Sequence, residues 1–189
     1  FRLNSGKAAA LQAGFRAVRG TMVVTMDADL QDDPAEIPNL IAALDGGTPR
    51  GRLDLVSGWK KVRHDPIHKV LASRFYNLVT STLGGIRLHD MNCGLKIYRR
   101  EVTNELTIYG SLHRFIPVLA HRRGFRVGEI VVKHRPRLHG KSKYGPSRYV
   151  EGILDLFSVL FISKFFLRPL QFFGIVGGLV LLAGASVIA

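Results

Sequence analysis

The stretch TMVVTMDADLQDDP, Thr21 to Pro34, passes from a short β-branched run straight into four aspartates within seven residues. Thr21 to Met26 has the length and composition of a buried strand. Asp33 then reads as an N-cap, with Pro34 at the first helical position and Glu36 three residues after the cap. Ile37, Leu40, Ile41 and Leu44 follow on one face, so a strand feeds a helix through an acidic turn.

The neighbouring segments continue that alternation. Upstream, Ala8, Leu11, Phe15 and Val18 recur at helical spacing over residues 7 to 19, and Gly20 stops the pattern. Downstream, Leu53 to Ser57 reads as a strand and Ile67 to Leu83 as a longer helix. Leu95 to Tyr98 and Arg126 to Val132 are further strands, with a helix over Leu112 to Arg123 between them. Strand and helix in alternation predict an α/β domain with a mostly parallel sheet. No internal repeat interrupts it.

The chain of 189 residues, 47% hydrophobic and 22% charged, is long enough for one sizeable core plus an appendage. Lys and Arg number 27 against 14 Asp and Glu, and the net charge of +13 points to anionic partners. The single cysteine, Cys93, excludes an internal disulfide and a thiolate metal site, and reads as a packed core thiol in a reducing compartment.

Beyond residue 147 the character changes. Residues 149 to 167 are apolar but carry Glu151, Asp155 and Lys164, as suits a helix along a membrane surface. From Leu170 to Ala189 no residue is charged, which is enough to cross a bilayer, and Gly174, Gly177, Gly178 and Gly184 are common in such helices. The sequence thus divides into an α/β domain over 1–146, a juxtamembrane helix over 147–168 and a transmembrane helix over 169–189. Basic residues between Lys133 and Arg148 place the domain on the cytoplasmic side by the positive-inside rule.

In an extended segment residues i and i+2 point the same way, so Asp27 and Asp29 project together from the carboxyl end of the 21–26 strand, where open α/β sheets bind ligands. Two adjacent carboxylates need a cation between them, and Mg²⁺ or Mn²⁺ suits oxygen ligands beside substrate phosphates. Gln31 offers a further amide oxygen, while Asp32 and Asp33 serve the turn and the helix cap. A solvated acidic turn is the alternative reading of the pair. A second constellation, His134 to Gly145 (HRPRLHGKSKYG), interleaves cations with Gly and Pro. It reads either as a solvated basic loop or as a phosphate clamp, with Arg135 and Arg137 as forks, Lys141 and Lys143 as point charges and Ser142 and Tyr144 as hydroxyl donors. Gly6-Lys7 opens the first helix and attracts an anion, but Ala8 stands where a P-loop needs a hydroxyl, which excludes an NTPase.

Together NSGKAAALQAG, MDADLQDDPAEIP, DMNCGLKIYRREV and HRPRLHGKSKYG, in that order and followed by membrane helices, resemble the family 2 glycosyltransferases. The likeness is to their polyprenyl-phosphate hexosyltransferases, of the dolichyl-phosphate mannose synthase and undecaprenyl-phosphate glucosyltransferase kinds. The resemblance implies a GT-A fold and inverting transfer of a hexose from a UDP- or GDP-sugar to a polyprenyl phosphate. It further implies that Asp27, Asp29 and Gln31 hold the metal, and that Lys60, Lys69 and Ser73, in VSGWKKVRHDPIHKVLAS, meet the acceptor phosphate. Arg135 and Lys141 match a loop that closes over the phosphates. The family's first strand and helix have no counterpart after Phe1, so much of the donor site is expected outside this stretch. Where many members place a Glu-Asp pair, with the Asp as base, this chain has Ser111-Leu112-His113-Arg114. Asp90 is the remaining acidic candidate for a base, and a structural cap is the equal alternative.

Three rival readings stand beside this one. A processive polysaccharide synthase lacks support because the only tryptophan, Trp59, sits in SGWKK and not in QxxRW. A membrane-tethered nucleic-acid-binding module suits the charge but leaves Asp27 and Asp29 without a purpose, so no nucleic-acid partner is expected. An inactive scaffold is the third. A homo-oligomer is compatible with the sequence.

Overall fold

A computed structural model describes residues 2–47, 51–61, 77–78, 80–82, 84–135, 161 and 169–188. The chain divides into two compact units, Phe1–Tyr144 and Gly145–Ala189.

In the first unit, α1 (Gly6–Ala17) leads into β1 (Met22–Thr25), and a 3-10 turn (Pro34–Glu36) into α2 (Ile37–Gly46). Then come β2 (Leu55–Trp59), β3 (Lys96–Arg99), α3 (Arg100–Glu105), a second 3-10 turn (Leu112–Phe115), α4 (Ile116–Arg122) and β4 (Val127–Val131). The strands form one sheet in the order β1-β3-β2-β4. Its α/β character is as expected, but the sheet is mixed instead of mostly parallel. β3 runs antiparallel to both β1 and β2, and only β2 with β4 is parallel. Composition identifies a strand without giving its direction. The inserted strand pairs Thr25 and Ser57 with Lys96, so the carboxyl ends of β1 and β2 meet the amino end of β3.

Alternation along β3 sorts the two faces. Leu95 and Ile97 join Leu40, Leu44, Val56 and Val132 in a core beneath α2. Tyr98, on the other face, packs edge-on against Phe15 of α1 with ring centroids 5.4 Å apart. Asp33 caps as expected, its carboxylate accepting from the Ala35 N–H at 3.1 Å, with Pro34 next. Glu36 does not reach back to that cap. Buried, it accepts instead from the Asn39 amide and the Lys133 N–H. The helix expected over Leu112 to Arg123 starts as a 3-10 turn because Pro117, in the first turn of α4, has no N–H to continue an α-helix from residue 113.

Within the second unit, α5 (Pro169–Ile188) is uncharged and 20 residues long, about 30 Å. Its window Pro169–Ser186 has a mean hydropathy of 1.7, long and apolar enough to cross a membrane. Apart from Phe161, the expected juxtamembrane helix over 147–168 lies outside the described residues, as does most of the expected helix from Ile67 to Leu83.

Two glycines should respond to alanine in opposite directions. A Cβ on Gly58 would lie 2.8 Å from a Val132 methyl, 3.1 Å from the Cys93 sulfur and 3.2 Å from the Leu95 carbonyl, whereas one on Gly14 meets nothing within 4 Å. Gly58→Ala is expected to cost about 1–3 kcal/mol by overpacking, and Gly14→Ala, on the exposed side of α1, to add about 0.5–1 kcal/mol. Thermal unfolding of the detergent-solubilised chain checks both.

Candidate active site

The aspartate turn follows β1 and is held from three sides. From within, Asp29 accepts the Gln31 N–H at 3.3 Å, and Leu30 takes a φ of 63°, a left-handed conformation that sharpens the turn. From beneath, Asp32, only 3% exposed, accepts the Asp27 N–H with one oxygen at 3.2 Å, while its other oxygen lies 3.0 Å from Lys60 Nζ just past β2. From the side, the segment after β4 pairs with it. Asp32 bridges to His134, Arg135 N–H donates to the Gln31 carbonyl at 2.8 Å, and the Arg135 guanidinium meets Asp33 at 2.7 Å.

This fixes where Asp27 points. Its carboxylate faces the backbone of Gly94, where a Cβ would sit 2.4 Å from the Asp27 Oδ2. Lys7, in the first turn of α1, reaches the other oxygen at 2.5 Å. Burial alone would raise the Asp27 carboxyl, but the Lys7 hydrogen bond and charge, with Lys60 and Lys96 behind, hold it below its ordinary value. A cavity of about 30 Å³, room for about one water, opens beside it between Lys7, Thr25, Lys96, Tyr98 and His113. Gly6 sits at φ 80°, a conformation that favours glycine, and its N–H donates to the Asn4 side chain.

The basic excess is partly internal. Lys96 is 3% exposed and donates to the Cys93 carbonyl, and burial lowers its pKa. Burial would lower Lys60 as well, yet Cys93, Asp32 and Asp90 raise it above its ordinary value. Cys93 pulls only once its thiol ionises, which burial delays to about 11, so at neutral pH the two carboxylates carry the effect.

The structure therefore brings Gly6, Lys7, Asp27, Asp29, Gln31, Lys60 and Arg135 to one end of the sheet, while Lys69, Ser73, Lys141 and Ser142 lie outside the described residues. Lys60 is committed to Asp32, with only 15% of its side chain exposed. Gln31 turns its amide nitrogen toward the Arg135 carbonyl, and Asp90 is buried at 4% exposure among the inner lysines. Among the described residues no group of three or more His, Cys, Asp or Glu side chains is gathered closely enough to hold a metal ion.

Sequence reasoning missed Lys96, Gly94 and His113. It also missed a group at the end of β2, where His89 stacks on Trp59 at 4.0 Å, bonds Glu129 through Nδ1 at 2.5 Å and has Lys61 over the same indole. Only Lys96 left a signal, a charge within the apolar run Leu95 to Tyr98.

The α/β fold with its mixed sheet is shared with solved glycosyltransferases of GT-A-like fold. The chain resembles glucosyl-3-phosphoglycerate synthase from Mycobacterium tuberculosis, solved with Mn²⁺, UDP-glucose and phosphoglyceric acid, with a TM-score of 0.58 at 18% identity, covering 84% of this chain and 54% of that one. Residues 1–107 match the family model described as glycosyl transferase family 2, and the chain belongs to that family. It is 43% identical to dodecaprenyl-phosphate galacturonate synthase of Rhizobium johnstonii over 92% of this chain and 51% of that protein. Undecaprenyl-phosphate 4-deoxy-4-formamido-L-arabinose transferase of Pseudomonas aeruginosa is 35% identical over 96% of this chain and 50% of its own length. The chain thus spans about half the length of these curated relatives.

Removing Asp32 should release the turn. Asp32→Asn strips Lys60 of its nearest carboxylate in a site with little solvent, at an expected cost of about 3 kcal/mol, and a further Lys60→Met should recover much of it in denaturant unfolding. Asp33 gives a pH signature. The Ala35 N–H and the Arg135 guanidinium hold its carboxyl below the ordinary 3.8. Stability from this depressed carboxylate is fully present above that value and is lost as pH falls through the lower folded one. Asp33→Asn should therefore weaken the dependence of unfolding on pH below about 4, leaving the dependence at higher pH unchanged.

Proposed function

We propose that this domain, within its full-length protein, transfers a sugar from a UDP- or GDP-sugar to a polyprenyl phosphate at the cytoplasmic face of a membrane. The observation that carries the reading is the Asp27 carboxylate, fenced by Gly94 and paired with Lys7, at the strand end of a family 2 domain. Two of its relatives are named for the corresponding transfer to dodecaprenyl and undecaprenyl phosphates, which supports the acceptor class.

The donor set suits a hard divalent cation such as Mg²⁺ or Mn²⁺. Two carboxylates leave one turn, and Asp27 stays ionised because its neighbours depress its pKa. Asp27 and Asp29 would hold the ion, with Gln31 beside them. When bound, such a cation neutralises charge developing on the leaving nucleoside diphosphate. Lys7 and Arg135 add positive charge around the same space. Lys60 acts from behind, by fixing Asp32 and through it the direction of Asp27.

The acceptor phosphate is already anionic. One of its oxygens attacks the anomeric carbon as that carbon's bond to the diphosphate oxygen breaks, and the electron pair leaves with the diphosphate. No strong base is needed, so positioning and charge neutralisation supply most of the rate. Such a step inverts the anomeric centre. The apolar α5 would keep the domain at the surface where the lipid phosphate lies.

Transfer of radiolabelled sugar from a panel of UDP- and GDP-sugars to undecaprenyl phosphate, by the full-length protein with Mn²⁺, tests this. Label should enter the lipid phase, disappear with EDTA and disappear in Asp29→Ala. Gly94→Ala should keep the fold yet lose about 10²-fold in rate, since its methyl displaces the Asp27 carboxylate. A folded protein that labels no polyprenyl phosphate from any donor would overturn the proposal.

A further inference from the structure

We infer that Lys7 and the divalent cation are alternative counter-ions for Asp27, so that Lys7 holds the aspartate turn in its metal-free form and yields its place when the cation enters. This rests on the reading of Asp27 as a metal-holding group.

The geometry leaves the carboxylate little choice. Gly94 lies against Asp27, and the Asp27 backbone is tied by its N–H to Asp32, so the side chain cannot retreat from Lys7. Lys7 Nζ sits 2.5 Å from Oδ1. A cation bonded to that oxygen at about 2.1 Å would lie no more than about 4.6 Å from the ammonium. Lys60 already adds positive potential to Asp27 from behind, so a divalent ion entering beside Lys7 would meet more than one like charge. Lys60 and Lys96 are held in place, Lys60 by Asp32 and Lys96 by burial and the Cys93 carbonyl. Lys7 alone of the three can leave. Its side chain is 45% exposed, on the first turn of α1, with a flexible stem.

Exchange has a chemical consequence. The ammonium displaced from Asp27 stays within one side-chain length of the turn, free to meet the diphosphate that arrives with the cation. Metal and donor would then bind cooperatively, because the anion gives Lys7 a new partner at the moment it loses the old one. Without a nucleotide, Lys7 opposes the metal.

Mn²⁺ titration of the full-length, detergent-solubilised protein, followed by the EPR signal of free Mn²⁺, reads this without turnover. With no nucleotide present, Lys7→Met and Lys7→Gln should each bind Mn²⁺ a few-fold to about tenfold more tightly than the unaltered protein, the range one partly exposed ion pair supplies. Adding UDP should tighten Mn²⁺ binding more in the unaltered protein than in either variant. If both variants, folded by circular dichroism, bind Mn²⁺ no more tightly than the unaltered protein, the exchange is refuted while the metal reading stands. If Asp27→Asn leaves Mn²⁺ affinity unchanged, the metal reading of Asp27 fails and the exchange with it. Absence of lipid labelling by the unaltered protein, alongside the expected Mn²⁺ differences, would refute the transfer proposal and leave the exchange in place.

Discussion

The buried pair between Lys60 and Asp32 is the constraint on which the site depends. One oxygen of Asp32 faces the ammonium at the end of β2, and the other takes the Asp27 N–H. A side chain that binds both the neighbouring strand's end and the backbone of the turn converts a flexible acidic loop into a fixed one. In bulk water such a pair would contribute little, but with 1% of the Asp32 side chain exposed neither partner has water as a substitute. The three residues from Asp29 to Gln31 then close on a single left-handed residue, Leu30, a strain tolerated where the surroundings over-determine the backbone.

The arrangement also accounts for an acidic cluster in a chain of net charge +13. Its lysines are unequal. Lys60 and Lys96 are enclosed behind the turn, where they act as a fixed positive background, while Lys7 and Arg135 stand at its rim with accessible side chains. Burial resists charge on Lys96 and neighbouring carboxylates favour it, whereas on Lys60 the carboxylates prevail over burial. The rim is where charge can change.

Much of this was legible in the sequence, and the part that was not has a common cause. Local signals did well. The run Thr21 to Met26 holds a strand, Met22–Thr25, because it is largely β-branched and apolar, and Asp33-Pro34 starts a helix because a carboxylate and a ring without an N–H both suit that position. The acidic pair at the strand end, the helix opening at Gly6 and the apolar helix from residue 169 could be read the same way. What stayed hidden is pairing across distance. The direction of β3, the approach of Gly94 to Asp27 and the choice of Asp32 as partner for Lys60 are each set by how remote segments meet. The six residues of α3 were too few to show a period, and Glu36, which looked like half of a capping box, found Lys133 instead.

Gln31 and His134 are 103 positions apart, and Thr25 bonds the carbonyl of Gly94 across 69. During synthesis the residues of the aspartate turn thus leave the ribosome long before the strands that brace it. At about 5–20 residues per second, the turn waits several seconds for Gly94 and longer for Arg135. Until then its carboxylates have only the cations already made, among them Lys7, Arg16, Arg19 and, later, Lys60. The nascent chain therefore passes through a stage in which its most acidic stretch is exposed and mobile, and the sheet closes around it only shortly before the apolar helix begins to emerge.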